Sequence, residues 1–273
     1  MRDPRLDDLI DADPEVRADA REELLIDMDD EIADGFLAIA SGDASDEVRG
    51  DAIIGLGPIL EECGDEYLEG EKPFFADEEM APPLSFAAFE RMRTGLRALY
   101  ADESQPTLVR RRAFESLVRD PQPWHRDEIK RLAASGDKDW IRTAVFSMAY
   151  FDGFDEVTLA MLNHDDSELV FEAVRAAGAR ELTASAERMR FLARSAEDRD
   201  VMMEAITSLP YVDPDALDLL DELAESDDED VAEAAEAARE ELVMLASGEF
   251  DDDFEDEDEV DDEEDEEDDD KKH

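Results

Sequence analysis

One short pattern recurs along almost the whole chain, and it constrains the fold more than any other feature. An aliphatic residue follows an acidic turn, arginine commonly comes next, and a small or apolar residue stands four positions after the aliphatic one. The aliphatic anchors are Val16, Val48, Val109, Ile141, Leu169, Val201 and Val231. Successive anchors are 32, 61, 32, 28, 32 and 30 residues apart, so five of the six intervals lie near one period. A fixed period of this length is typical of repeat architectures.

A short apolar stretch precedes each anchor and ends in a turn of serine, glycine or aspartate. Residues 36–40 before Ser41 and residues 129–133 before Ser135 are examples. Apolar residues three and four positions apart predict a helix with one buried stripe, and the turn residues predict helix ends and N-caps. Each repeat is therefore predicted to be a helical hairpin. Because one hairpin cannot bury its own apolar face, we expect successive hairpins to stack around a continuous core.

The acidic–x–x–Val–Arg–x–x–Ala pattern, as in residues 13–20 and 46–52, resembles HEAT repeats. More narrowly, it is similar to the short HEAT-like repeat of roughly 30 residues first associated with phycobilin lyases. The resemblance covers nearly all of residues 3–246. It implies an all-α fold, a right-handed α-solenoid of about seven helical hairpins. It implies no particular activity, because one fold supports many functions.

The repeat spacing divides the chain into four predicted parts. HEAT-like repeats 1 and 2 occupy residues 1–62, and repeats 3 to 7 occupy residues 85–246. Between them we predict an insertion loop over residues 63–84, because the 61-residue interval contains only one further helix pattern. Residues 247–273 are predicted to be a disordered acidic tail. Positions 249–270 hold 19 acidic residues and no basic one, which leaves too little apolar surface for folding.

Acidity is not confined to that tail. The formal net charge is −55, and residues 1–248 still hold 63 acidic residues against 25 basic ones. Arginine (22) far exceeds lysine (5). This balance resembles that of proteins from halophiles whose cytoplasm holds concentrated salt, where a screening length of about 3 Å at 1 M makes such self-repulsion tolerable. An ordinary acidic binding protein of a dilute cytoplasm is the alternative.

Composition also argues against several classes of protein. Cys63 is the only cysteine, so neither an intramolecular disulfide nor a cysteine-based zinc site is expected. The first residues do not resemble a secretory signal, and no run of 18 apolar residues predicts a membrane span. We therefore expect a cytoplasmic protein. Because the body is strongly negative, direct binding to nucleic acid is not expected.

The motifs expected of an enzyme are missing. HEAT-repeat deoxyhypusine hydroxylases hold a di-iron centre through His-Glu pairs, but His125, His164 and His273 are not followed by glutamate. There is no phosphate-binding glycine loop and no nucleophile elbow. We therefore predict no catalytic residue, metal or cofactor. The favoured function is a non-catalytic protein–protein interaction or scaffold module, as an assembly or regulatory factor. The alternatives are a HEAT-like lyase or other enzyme acting on a protein or chromophore, and an acidic-tail chaperone for basic proteins.

Two places stand out as partner-binding candidates. Phe74 and Phe75 lie in the insertion, either as anchors for a partner or packed back onto the array. Residues 91–131 carry a local charge of +4, which includes Arg111, Arg112 and Arg119. These three are predicted to bind an acidic peptide or phosphate. The alternative is structural, because the arginine after each anchor is expected to pair with a turn residue of the next repeat.

Overall fold

The computed structural model describes residues 3–67, 70 and 82–247, and these form fourteen α-helices and no strand. The helices alternate between two layers. The outer helices are α1 (Arg5–Asp8), α3 (Asp30–Ser41), α5 (Phe86–Ala101), α7 (Pro123–Ala133), α9 (Asp155–Met161), α11 (Ala186–Ser195) and α13 (Leu217–Ala224). The inner helices are α2 (Pro14–Ile26), α4 (Asp46–Glu66), α6 (Thr107–Leu117), α8 (Lys138–Ser147), α10 (Ser167–Ala179), α12 (Arg199–Val212) and α14 (Glu229–Ser247).

Every predicted anchor lies near the start of an inner helix. In α2, for example, the Asp13 carboxylate accepts the Glu15 N–H as N-cap, and Val16 follows three residues after the cap. The same offset holds in every inner helix except α8, which begins after Asp137. There Trp140 occupies the third position, so the predicted anchor Ile141 is displaced by one residue. A capping oxygen satisfies helix N–H groups that would otherwise lack a partner, which explains why the acidic turns mark the helix starts.

The helices pack as seven stacked hairpins. Each outer helix packs against the inner helix that follows it, and each inner helix packs against the next inner one from α2 to α14. Among the described outer helices, close packing on one another is limited to α1 with α3 and α3 with α5. Because the inner helices lie closer together than the outer ones, the array curves with the inner layer on its concave side. The predicted all-α solenoid of about seven hairpins is confirmed.

The core runs between the two layers as predicted. Its largest fully buried side chains include Phe36, Leu56 and Phe114, and further along the chain Leu209 and Leu220 are also fully buried. The small residues four positions after the anchors are buried where adjacent helices meet: Ala20, Ala52, Ala113, Ala173, Ala205 and Ala235. Their size allows the helix axes to approach closely, which a larger side chain would prevent.

Helix α4 carries three glycines seven residues apart that face the next inner helix. A Cβ atom at Gly57 would lie 2.9 Å from Cδ of Arg119, and one at Gly50 would lie 3.6 Å from Cγ of Arg112. Gly64 approaches the chain just after α6 in the same way. The aliphatic stems of both arginines therefore lie directly on the α4 backbone, and this contact positions their guanidinium groups at the concave surface.

The insertion begins later in the structure than at the predicted residue 63. Helix α4 continues to Glu66, and Cys63 is fully buried within it. The two ends of the insertion lie close together, because the Tyr67 hydroxyl donates a 2.8 Å hydrogen bond to the Leu84 carbonyl. Phe74 and Phe75 lie outside the described residues, as do residues 248–273 of the predicted tail.

Candidate protein-binding groove

A ridge of two aromatic rings and one guanidinium crosses the concave face. The guanidinium carbon of Arg175 on α10 lies 5.3 Å from the ring centroid of Phe146 on α8 and 6.0 Å from that of Phe171 on α10. All three side chains are partly exposed. Guanidinium planes are attracted to aromatic faces, so the rings hold Arg175 in place. We call Phe146, Phe171 and Arg175 the Arg175 ridge.

One cavity on each side of the ridge completes the groove. The tyrosine cavity, of about 550 Å³, is lined by Tyr150, Arg175, Glu204 and Tyr211, with Glu61 of α4 at its far side. The aspartate cavity, of about 280 Å³, is lined by residues of four inner helices: Arg112, Arg142, Glu168, Phe171, Asp198 and Asp200. The ridge and the two cavities form one surface, which we call the inner groove.

Arginines along the inner groove are held by nearby carboxylates. Arg112 Nη1 lies 2.8 Å from Oε2 of Glu115. Arg119 Nη1 lies 2.7 Å from Oε2 of Glu61, and its guanidinium carbon is 5.4 Å from the Tyr150 ring centroid. These two arginines keep about a third and about a quarter of their side-chain surface exposed. They present fixed, directional donors, an arrangement that suits recognition of polar groups on a partner.

Two glutamates beside the ridge are destabilised as anions. Burial raises the pKa of Glu172, and the Arg175 guanidinium, at 3.3 Å, opposes that rise. Burial likewise raises the pKa of Glu204, with Arg175 again opposing it from 3.9 Å. A buried carboxylate favours its charged form only as far as nearby cations compensate for lost water. Arg175 is thus shared between two carboxylates.

Arg111 occupies a different place from the other two predicted arginines. Its side chain is 4% exposed, and Nε donates a 2.9 Å hydrogen bond to the hydroxyl of Thr143 on α8. Nη1 lies 3.1 Å from Oδ1 of Asp139, and the Thr143 hydroxyl donates in turn to Oε1 of Glu115 at 2.6 Å. Arg111 therefore joins α6 to α8 inside the array, and its guanidinium does not belong to the exposed groove. The reason is its position, which turns the side chain towards the next inner helix.

The structural alternative for the arginine after each anchor is observed at several positions. Arg17 Nε lies 2.8 Å from Oδ2 of Asp51 in the next repeat. Arg49 Nη2 donates to Oε1 of Gln105 at 2.6 Å. Some arginines of the basic segment 91–131 also pair with carboxylates outside it. For example, Arg91 Nη2 lies 2.9 Å from Oδ2 of Asp34.

Sequence reasoning missed the ridge and the tyrosine cavity. A repeated position could have revealed part of them, because Arg112, Glu172 and Glu204 each stand three residues after an anchor. That position lies on the side of an inner helix that faces the groove. Phe146 and Tyr150 carry no such signal in a single sequence.

The described residues contain no group of three or more His, Cys, Asp or Glu side chains placed to hold a metal ion. His125 is fully buried, and its Nδ1 accepts the Gln122 N–H at 3.0 Å. His164 is exposed and accepts the Asp166 N–H at 3.0 Å. Both imidazoles thus act as local caps. Among the helices described, none combines the length and apolar character that crossing a bilayer would require.

No protein-family model and no curated protein sequence matches the chain. Solved structures with partial similarity include Escherichia coli YibA, with a TM-score of 0.44 and 14% identity over 90% of this chain and 84% of that one. Human deoxyhypusine hydroxylase in complex with glycerol has a TM-score of 0.36 and 15% identity, over 88% of this chain and 94% of that one. A designed armadillo repeat protein in complex with the peptide (KR)4 has a TM-score of 0.35 and 17% identity, over 87% of this chain and 98% of that one. These similarities are low, and the fold assigned above rests on the helix packing of this chain.

Proposed function

We propose that this chain is a non-catalytic protein-interaction module that binds an extended segment of a partner protein in the inner groove. The observation that carries the proposal is the partly exposed Arg175 ridge with a cavity on each side, on the concave layer. Aromatic residues and arginine dominate the binding energy of protein interfaces, especially beside pockets that exclude water. Such a scaffold would suit an assembly or regulatory factor.

An extended segment fits this surface better than a bulky domain. Alternate side chains of an extended chain point in opposite directions, with a rise of about 3.3 Å per residue. A segment that crosses the ridge would therefore place side chains into both cavities while its backbone passes over Phe171. Because the arginines of the groove are already held by carboxylates, little side-chain entropy would be lost on binding.

Two of the arginines predicted from the sequence belong to this proposal. Arg112 lines the aspartate cavity, and Arg119 borders the tyrosine cavity through Glu61 and Tyr150. Arg111 is left out, because its side chain is buried between helices. The involvement of Phe74 and Phe75 stays a prediction.

A pair of matched double variants tests the proposal. Arg188 and Phe191 on outer helix α11 repeat the chemistry of the ridge, with the guanidinium carbon 4.9 Å from the ring and Phe191 55% exposed. They line another cavity, of about 640 Å³, which meets the aspartate cavity at Ser167 and Asp198 but contains no residue of the Arg175 ridge or the tyrosine cavity. The experiment is affinity capture from native lysate at the host's salt concentration, with Phe171→Ala plus Arg175→Ala compared with Phe191→Ala plus Arg188→Ala.

The expected result is a stoichiometric partner that the wild type and the α11 variant retain and the ridge variant loses. Circular dichroism melting of each variant shows whether the array remains folded. If a folded ridge variant retains the partner, if the α11 variant alone loses it, or if the wild type captures none, the proposal fails.

We further propose that the protein works in a cytoplasm with concentrated salt and does not bind nucleic acid directly. Support comes from the net charge of residues 1–248 and from the carboxylates outside the basic segment that pair with its Arg91 and Arg119. A surface of this charge repels phosphate backbones unless a basic footprint compensates. The salt dependence of stability, treated below, tests the first part.

A further inference from the structure

Glu204 in the tyrosine cavity is a partly buried carboxylate without a close cation or hydrogen-bond donor among the described residues. Its side chain is 28% exposed, and its one described ion-pair contact is with Arg175 Nε at 3.9 Å. That distance exceeds a normal hydrogen bond. No other described side chain or backbone N–H donates to its carboxylate. Burial also raises the pKa of Glu204, as expected for an anion that has lost water without gaining a close cation.

Arg175 is also engaged by other groups. Its Nη1 already donates to Oε2 of Glu172 at 3.3 Å, and its guanidinium is held between the Phe146 and Phe171 rings. At the far side of the cavity, Glu61 is occupied by Arg119. The cavity is lined by Glu61, Glu181, Glu204 and Arg175. With Arg119, which pairs with Glu61, three glutamates face two arginines, so the formal charge is −1.

The walls and floor of the cavity suit a long side chain with a charged end. Tyr150 and Tyr211 provide aromatic walls, and the Tyr211 hydroxyl donates to Oε1 of Glu241 at 3.1 Å. The floor is formed of small residues, since a Cβ atom at Gly178 would lie 2.8 Å from Oγ of Ser208. Apolar walls around a carboxylate accommodate the aliphatic stem and the cationic head of lysine or arginine.

We propose that the tyrosine cavity binds a basic side chain, arginine or lysine, carried by the partner segment, with Glu204 as its counter-ion. This inference rests on the proposed function and adds the chemistry of one recognised side chain. The charge of the cavity selects against an acidic side chain, and the exposed edge of the Glu204 carboxylate selects against an apolar one, which would leave that anion buried and unpaired.

The test uses N-acetyl-arginine amide as probe and N-acetyl-citrulline amide as its neutral counterpart of nearly the same shape. Protein labelled with ¹³C at alanine methyl groups reports binding at two positions in the cavity, Ala149 and Ala179. Ala196 lines the cavity beside α11 and serves as the reference signal. We expect saturable shifts of Ala149 and Ala179 with the arginine probe, and none with the citrulline probe.

Two variants with the same change of net charge separate local from general electrostatics. Glu204→Gln should weaken binding of the arginine probe about tenfold or more, because a hydrogen bond to a charged group contributes on that order. Glu187→Gln, on the exposed outer helix α11, should bind like the wild type. Equal shifts with both probes, no saturable shift at the two alanines, or wild-type affinity in Glu204→Gln would each overturn the proposal.

The same variant separates this proposal from the proposed function. A partner lost by Phe171→Ala plus Arg175→Ala but bound undiminished by Glu204→Gln would overturn the basic-side-chain pocket and leave the groove as the docking site. Retention by both variants would overturn both. Loss in both, with retention by Glu187→Gln, is the result expected if both are correct.

Discussion

The buried imidazole of His125 makes the stability of the array depend on pH, and one variant can isolate that dependence. His125 on α7 is fully buried, with Phe114 and Phe151 at ring-centroid distances of 5.6 Å and 5.8 Å. Its Nδ1 accepts the Gln122 N–H. Burial, with the nearby charge of Arg97 as a smaller cause, lowers the pKa of His125 from 6.5 to about 3.

The direction and size of the effect follow from proton linkage. Between the unfolded pKa of 6.5 and the folded pKa of about 3, the unfolded chain binds a proton at this site that the folded chain does not. The contribution of His125 to the free energy of unfolding is therefore complete above pH 6.5 and is lost as pH falls towards 3. At about pH 5 the loss amounts to about 2 kcal/mol.

The assay compares urea unfolding of the wild type and His125→Asn at about pH 7.5 and about pH 5, in the same salt. Asparagine keeps an acceptor for the Gln122 N–H and cannot gain a proton. The many carboxylates titrate in both proteins and cancel in the comparison, so the wild type should lose about 2 kcal/mol more than the variant. His164→Asn removes an exposed imidazole with a similar capping contact and is the matched control. Parallel pH dependence of the wild type and His125→Asn would refute the reasoning.

Three further predictions concern the array, the insertion and the salt response. Arg111→Ala should lower the free energy of unfolding by about 2 kcal/mol or more, because it removes a buried charged side chain that donates to Thr143 and pairs with Asp139. Lys130→Ala, at an exposed pair, should cost under about 1 kcal/mol. Equal urea midpoints for the two variants would contradict this. Replacing residues 70–83 with a short Gly-Ser linker should leave the melting temperature nearly unchanged, because Tyr67 and Leu84 are already hydrogen-bonded to each other. The same replacement should abolish partner capture if Phe74 and Phe75 bind the partner. Undiminished capture would remove these two residues from the binding surface. Raising KCl from about 0.1 M to about 2 M should raise the melting temperature, because screening relieves self-repulsion; a melting temperature indifferent to salt would contradict the halophilic interpretation.

The fold could be predicted because each repeat is specified by residues that are close together in the sequence. A capping aspartate or serine, followed three positions later by an aliphatic residue, marks the start of a helix. The small residue four positions further on marks where that helix contacts its neighbour. Residues 13–20 contain all three, and the structure places them at the start of α2 as expected. In α8 the predicted anchor, Ile141, is one residue too late. Trp140 and Ile141 are both apolar, and only the position of the N-cap Asp137 shows that Trp140 is the anchor.

The groove could be predicted only in part, because it is assembled across hairpins. Arg111 and Arg112 are neighbours in sequence, yet one is buried between α6 and α8 and the other faces the groove. Which of them turns inward depends on how the helices cross, and a single sequence does not encode that directly. The Arg175 ridge likewise joins side chains of α8 and α10 that no spacing rule relates.

The most direct test of the groove as a docking site is site-specific photo-crosslinking in native lysate. A photoreactive benzoylphenylalanine is placed either at Phe171 in the ridge or at Phe191 on the outer surface. Both positions already hold a partly exposed phenylalanine beside an arginine, so the two substitutions are closely matched. We expect one crosslinked protein from position 171, attached through a segment that contains arginine or lysine, and none from position 191. Crosslinking from position 191 alone, or from neither position, would contradict that expectation.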